Sequence, residues 1–270
     1  MILGMLLALA QSATDPELEP VLERLNAHRK AAGLEQVAAD PVLCKGCAAH
    51  AAYLVQNVDH PSTQGLGLHS EDPKLPGYSK EGERAGKAAV IFLGKEGPGA
   101  VEGWMASLLH RIPLLESRLR KVGYGLARGG PATVTAVLDA TSGLGVGKDA
   151  PVVLYPAAGQ KEVPREFCPE IPDPIPESGH KKAGYPVTAI FAEGALVKDV
   201  KASLKDPEGR DLAIWVSSPE KPAAADYQRN TVGIIAQEPL RPSTTYTVAL
   251  AARVTGKPWL RTWSFTTAGN

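Results

Sequence analysis

The sequence predicts an α+β chain built as two units, and three observations predict it. Apolar residues recur at helical spacing in three segments between residues 17 and 109. Two alternating segments around an Arg-Gly-Gly-Pro turn then read as a β-hairpin. Beyond a proline-rich stretch, short strand-like segments separated by turn residues fill the rest of the chain, the pattern of an all-β unit.

Thr14-Asp15-Pro16-Glu17 carries a capping residue followed by proline, the usual helix-entry chemistry, and Leu18, Leu22 and Leu25 give the first helix one apolar face that ends near Gly33. Asp40-Pro41 starts a second helix, with Leu43, Cys47, Ala51, Leu54 and Val55 along its packing side as far as Asn57. From Val58 to Gly97 the periodicity disappears, and Pro61, Gly65, Gly67, Pro73, Pro76 and Gly77 punctuate a long irregular segment that holds His60 and His69. Long loops in a compact domain are often functional. The apolar run from Ala88 to Leu93 suits either a buried strand or a helical turn. Pro98 to Leu109 reads as a third helix with Val101, Trp104, Met105 and Leu108 on one face, placing Trp104 in the core and His110 at the helix C-terminus, where the dipole favours a cation. Arg120–Ala127 and Ala132–Leu138 form the hairpin.

Pro156, Pro164, Pro169, Pro172, Pro174 and Pro176 mark an extended, stiff linker. The expected division is 14–155 for the first domain, 156–185 for the linker and 186–270 for the second domain. In the second domain, segments near 186–191, 197–204, 211–216, 231–235, 246–252 and 259–266 have the spacing of an immunoglobulin-type β-sandwich, without its intersheet disulfide.

Lys plus Arg equals Asp plus Glu, 29 against 29, so no global field favours nucleic acid or an anionic membrane surface. Met1 to Ala13 is an apolar run closing on Ala10-Gln11-Ser12-Ala13, similar to an export signal although no Lys or Arg precedes it. It is too short to span a bilayer, so the expectation is a secreted or envelope protein that is not integral to the membrane. Three cysteines are present. Cys44 and Cys47 are expected either to pack as small buried residues or to pair one of their number with Cys168, tying the linker to the first domain, and an odd count leaves the pairing open.

In order, Leu25-Asn26-Ala27-His28-Arg29, His69-Ser70, Gly82-Glu83-Arg84, Val101-Glu102-Gly103-Trp104-Met105-Ala106-Ser107, His110-Arg111 and Val122-Gly123-Tyr124-Gly125 resemble the CAP superfamily in its bacterial form, over about Glu17 to Ala140. The resemblance implies a three-layer α-β-α sandwich with a cavity lined by two histidines and two acids. By position the histidines are His69 and His110 and the first acid is Glu83, although Arg84 stands where the family has asparagine. The second acid is replaced by Ser107, leaving Glu71, Asp72 and Glu102 as substitutes among which the sequence does not choose. Pro242-Ser243-Thr244-Thr245-Tyr246-Thr247-Val248 and Trp263-Ser264-Phe265-Thr266-Thr267 resemble the closing phrases of bacterial Ig-like modules.

Two imidazoles in one cleft suit a divalent ion such as zinc, completed by water. The expected function is a secreted protein that binds a divalent ion or a small apolar ligand at His69 and His110, with the Ig-like module attaching it to an envelope partner. The alternative is a metal-assisted hydrolase of protease or lipase type in which Glu83 acts as base beside His69 and His110.

Overall fold

The computed structural model describes residues 16–95, 97, 99–129, 134–147, 150, 152–176 and 182–269. The expected export signal, the Thr14-Asp15 helix entry and the Gly130-Pro131 turn lie outside these residues. No helix among the described residues is long and apolar enough to cross a membrane.

Helix α1 (Leu18–Ala31) is followed by the short strand β1 (Ala38–Ala39) and by α2 (Pro41–Gln56). The Asp40 carboxylate caps α2 by accepting from the N–H groups of Val42 and Leu43, as the Asp-Pro start requires. Irregular chain leads to α3 (Lys80–Ala88), which runs directly into strand β2 (Ala89–Gly94). The expected third helix is shorter than its apolar pattern. It ends as α4 (Gly99–Ala106), and after a turn the chain restarts as α5 (Arg111–Leu114). His110 is therefore the residue before a new helix, not the C-terminus of a long one. Strands β3 (Lys121–Arg128) and β4 (Val134–Asp139) form the expected hairpin.

These strands make one sheet in the order β1-β3-β4-β2, with β1 parallel to β3 and the other pairs antiparallel. Ile91 and Val137 pack with Cys47, Ala51, Leu54 and Ala85 of α2 and α3. Their neighbours in the strands, Val90, Ala136 and Leu138, pack with Val21, Leu25, Val101, Trp104 and Met105 of α1 and α4. This alternation is the strand period of two acting on a sheet buried on both faces. Gly123 and Gly125 permit the close approach, because a Cβ at either position would meet the backbone of Leu43 or of Cys47 and Ala48 in α2 at 2.1–2.6 Å.

The second unit comprises β5 (Val152–Tyr155), β6 (Val187–Phe191), β7 (Val197–Lys205), β8 (Ile214–Ser217), α6 (Ala225–Gln228), β9 (Thr231–Ala236), β10 (Thr245–Val254) and β11 (Lys257–Thr266). They form two antiparallel sheets, β5-β6-β9-β8 and β11-β10-β7. Val187, Ala189, Val232 and Ile234 of the first sheet share an apolar core with Leu204, Val248, Leu250 and Phe265 of the second. Strand β5 pairs with β6 and so belongs with this unit, on the near side of the boundary expected at residue 155.

The proline-rich stretch is extended but not free. Val163 bridges to Thr267, the Tyr185 N–H bonds Arg165 O, the Phe167 N–H bonds Ala183 O, and the Cys168 N–H bonds Ala106 O of α4. It is a strap bonded to both units. Cys44, Cys47 and Cys168 form no disulfide in this structure, so none of the expected pairings is present. Cys47 is buried, as a small core residue.

Two buried arginines hold the first unit and the junction together. Arg29 donates to the carbonyls of Glu35, Leu114, Glu116 and Leu119, and burial lowers its pKa to about 10. Arg111 donates to Met105 O and to Pro186 O, the latter at 2.5 Å, while its guanidinium lies 5.0 Å from the Tyr155 ring centroid and 4.5 Å from that of Tyr185. A guanidinium can serve two carbonyls and two rings because its donors lie in a plane whose faces remain free. Arg111→Met is expected to cost about 3–5 kcal/mol in urea unfolding of the full chain, since it leaves buried carbonyls unserved. A loss below about 0.5 kcal/mol, the range of ordinary surface substitutions, would remove the junction role assigned to this side chain.

Candidate functional site

Two histidine–carboxylate pairs shape the region where the sequence places the site. His50, missed by the sequence reading, is fully buried on α2 and lies 2.9 Å from Glu71 Oε1 through Nδ1. Its Nε2 donates to Leu68 O at 2.8 Å, and the Glu71 carboxylate also accepts from the Ser79 N–H at 2.9 Å. Gly86 lies against the ring, with its would-be Cβ 2.5 Å from the imidazole. This pair ties α2 to the irregular segment and to the start of α3, which fixes the residues on either side of His69.

His69 donates from Nδ1 to Gly86 O at 3.0 Å. The acceptor is a carbonyl, so the hydrogen must be on Nδ1, and Nε2 keeps its lone pair. Burial holds the pKa of His69 below the usual histidine value; His110 and His50 push the same way, against the Gly86 bond.

His110 pairs through Nδ1 with Glu170 Oε2 at 2.9 Å. Glu170 comes from the strap and is fully buried. Its carboxylate also accepts from the N–H groups of Leu108 (2.6 Å), Leu109 (2.9 and 3.0 Å) and His110 (3.0 Å). One buried carboxylate thus satisfies the N–H groups of the turn before α5 and aims the imidazole. Neither Nε2, of His69 or of His110, has a hydrogen-bond partner among the described residues.

The two histidines line one cavity of about 460 Å³. Val90, Leu109, Pro113 and Ile171 give it an apolar lining, while Asp226, Tyr227 and Arg229 of the second unit contribute to its wall. A smaller cavity of about 260 Å³ shares His69, His110 and Ile171 and continues past Ile91, Phe92 and Leu93.

The expected acids lie elsewhere. Glu83 does not line either cavity; its carboxylate takes Lys87 Nζ at 2.6 Å and the Tyr78 hydroxyl at 3.2 Å, and Lys87 holds its pKa below the usual value. Glu102 binds His28 and Arg24, Glu71 binds His50, and Asp72 caps its own turn at Lys74. Ser107 is buried and donates to Gly103 O and Cys168 O. The carboxylate that pairs with His110 is Glu170, which is none of these acids. Among the described residues, no three His, Cys, Asp or Glu side chains form a metal-ligand group. Trp104 is core, as expected, with 1% exposure.

Glu170→Ala is expected to destabilise the full chain by about 3–5 kcal/mol, the cost of breaking a buried charge pair, with Glu170→Gln milder because one acceptor oxygen remains. Urea unfolding of both variants would contradict the assignment if neither moved the midpoint.

Residues 22–139 match the model of the Cysteine-rich secretory protein family, CAP. Comparison with curated proteins finds no match. Among solved structures, CopC from Methylosinus trichosporium OB3b is 15% identical over 43% of this chain and 88% of its own, with a TM-score of 0.28. A DUF4426 family protein from Pseudomonas aeruginosa PAO1 is 14% identical over 32% of this chain and 65% of its own, with a TM-score of 0.22. Likenesses this loose carry no argument about the fold or the site. The family match, together with the sheet, helices and paired histidines it spans, makes the N-terminal unit of this chain a CAP domain.

Proposed function

We propose that the protein is an exported binding protein whose CAP cavity takes a divalent ion such as zinc, or a small apolar ligand, between His69 and His110. The observation that carries this reading is that both imidazoles are anchored through Nδ1, one on Gly86 O and one on Glu170, and leave both Nε2 atoms without a protein partner in a shared cavity. Histidine ligands to metals are usually oriented in this way, the second ring nitrogen donating to a carbonyl or carboxylate. The chain offers two such donors, so water or an incoming ligand would complete the shell, which suits an exchangeable ion better than a structural zinc of four protein ligands. When bound, such an ion would polarise a ligand oxygen.

The apolar lining supports the small-ligand form of the reading. The α-β-α layering is supported by strand residues that alternate between two helical layers. The Ig-like reading of the second unit is supported by buried Tyr246, whose hydroxyl accepts from the Arg241 N–H at 2.8 Å, the kind of bond made by the tyrosine corner of such sandwiches. Asp226, Tyr227 and Arg229 bring this module to the cavity wall, which adds a role beside attachment to an envelope partner. The hydrolase reading lacks its base, since Glu83 is turned towards Lys87 and Tyr78.

Calorimetric titration of the metal-stripped full chain with zinc is expected to give one ion per chain. His69→Ala and His110→Ala should each weaken it at least about tenfold, and Glu170→Gln about tenfold through His110. Absence of zinc binding, together with no effect of His69→Ala on uptake of an apolar dye, would overturn this reading.

A further inference from the structure

Cys44 and Cys47 stand three residues apart on α2, and neither lines the space around His69 and His110. At that spacing an α-helix puts two side chains on one face, with Cα atoms about 5 Å apart and Cβ atoms about 5–6 Å apart. A disulfide needs Cα atoms about 4.4–6.8 Å apart and Cβ atoms about 3.5–4.5 Å apart. The helix already meets the first distance. The second is met when the turn tightens towards a 3₁₀ form, in which residues i and i+3 eclipse and which is frequent near helix N-termini.

The layering of the first unit excludes Cys168 as the partner of either. Cys168 lies against α4, with its N–H bonded to Ala106 O and its Sγ 3.8 Å from where a Cβ on Gly103 would stand. Helix α4 packs Val101, Trp104 and Met105 on one face of the sheet, while α2 packs Cys47, Ala51 and Leu54 on the other. The sheet therefore stands between Cys168 and the pair on α2.

The two sulfurs are unequal. Cys44 is partly exposed, and the Tyr124 N–H of β3 donates to its Sγ at 3.4 Å. A backbone donor close to a helix N-terminus is a setting that favours a thiolate, the attacking form of cysteine. Asp40, whose charge works against a thiolate there, is held by Lys121 Nζ at 3.0 Å. Cys47 is fully buried among Ala51, Leu54, Ala85, Ile91 and Val137, and burial pushes its thiol up, only partly countered by a backbone hydrogen bond at Asp139. A disulfide in solution reaches Cys44 and not Cys47. Once joined to Cys44, it lies on the helix face that Cys47 shares. Thiol–disulfide exchange uses this asymmetry, because attack depends on access and on thiolate character while the second thiol needs only to reach the mixed disulfide.

We propose that Cys44 and Cys47 form a thiol–disulfide exchange site, with Cys44 attacking and Cys47 resolving, whose substrate is a small-molecule disulfide of the glutathione class. The Cys44 thiol loses its proton to water and its sulfur attacks one sulfur of the substrate, breaking the S–S bond. The thiolate that leaves takes up a proton, and a mixed disulfide remains on Cys44. Cys47 then loses its proton and attacks the Cys44 sulfur, expelling the second thiol. Two protein thiols are oxidised to one bridge by two electrons, and one disulfide is reduced to two thiols. The site stands apart from the histidine cavity and does not depend on what that cavity binds.

The test incubates the reduced, folded full chain with glutathione disulfide, blocks the remaining thiols, and maps the products by mass spectrometry after unfolding and digestion. Trypsin cuts after Lys45, between the two cysteines, so the bridge shows as two peptides that stay joined until a reductant is added. The joined pair is expected in the parent and in Cys168→Ser alike. Cys47→Ala, which keeps the core apolar and removes the resolving sulfur, should retain one glutathione on Cys44. Cys44→Ser, with an unchanged circular dichroism spectrum, should lose its Cys47 thiol at least about tenfold more slowly than the parent, since burial shields the thiol that is left. Cys44→Ala gives the same reading if serine disturbs the fold. The proposal is overturned if glutathione disulfide leaves Cys44 and Cys47 unlinked in the folded chain, or if the bridge that forms joins either of them to Cys168. It is also overturned if Cys47→Ala carries no glutathione, or if Cys47 reacts as fast in Cys44→Ser as in the parent.

Discussion

The Glu170 carboxylate is the interaction on which the site depends. Burying a carboxylate costs several kcal/mol unless its oxygens are supplied with donors. Here the N–H groups of Leu108, Leu109 and His110 and the His110 imidazole supply them. The same contact does three things. It satisfies backbone groups that α4 and α5 leave without helical partners. It anchors the strap to the first unit, and it holds the His110 imidazole through Nδ1.

The strap in turn sets the relation between the two units. Arg111, next to His110, reaches Pro186 O and lies between the Tyr155 and Tyr185 rings, so adjacent residues carry a buried anion contact and a buried cation contact. His28 adds a third tie across the junction through the Tyr155 hydroxyl at 2.6 Å. The cavity is consequently composite. Its floor and histidines belong to the CAP domain, while Asp226, Tyr227 and Arg229 arrive from the β-rich unit.

Most of the scaffold was legible because it follows local rules. Asp40-Pro41 starts α2 where capping chemistry places it, and the strands after residue 186 follow their alternation and turns closely. The family phrases located His69 and His110, which do share a cavity. The acids were not legible, for a reason visible in α3. Its buried residues are Gly82, Ala85 and Gly86, so Glu83 falls at the margin of that face, where Lys87 one turn later takes its carboxylate. Glu170 lies 60 residues from His110, in a stretch whose prolines read as a linker and whose burial no periodicity could reveal. His50 was hidden for a related reason, since its partner Glu71 is 21 residues away in irregular chain. The pattern of α2 spoke only for its small and aliphatic residues. The long apolar pattern from Pro98 to Leu109 concealed the break before α5, because Trp104 and Met105 before the turn, Leu108 and Leu109 within it and Ile112 after it are all buried.

His69 and His110 are both held through Nδ1, line one cavity, and have no hydrogen-bond partner at Nε2 among the described residues. Nitrogen-15 spectra of the histidine-labelled full chain at neutral pH test this arrangement most directly, because the two ring nitrogens of a neutral imidazole have different shifts according to which carries the hydrogen. Expected are the Nδ1–H form for His69, a hydrogen bond from His110 Nδ1 that is weakened in Glu170→Gln and lost in Glu170→Ala, and joint movement of both Nε2 signals when zinc is added. An Nε2–H form for His69, or zinc shifting only one of the two rings, would contradict it.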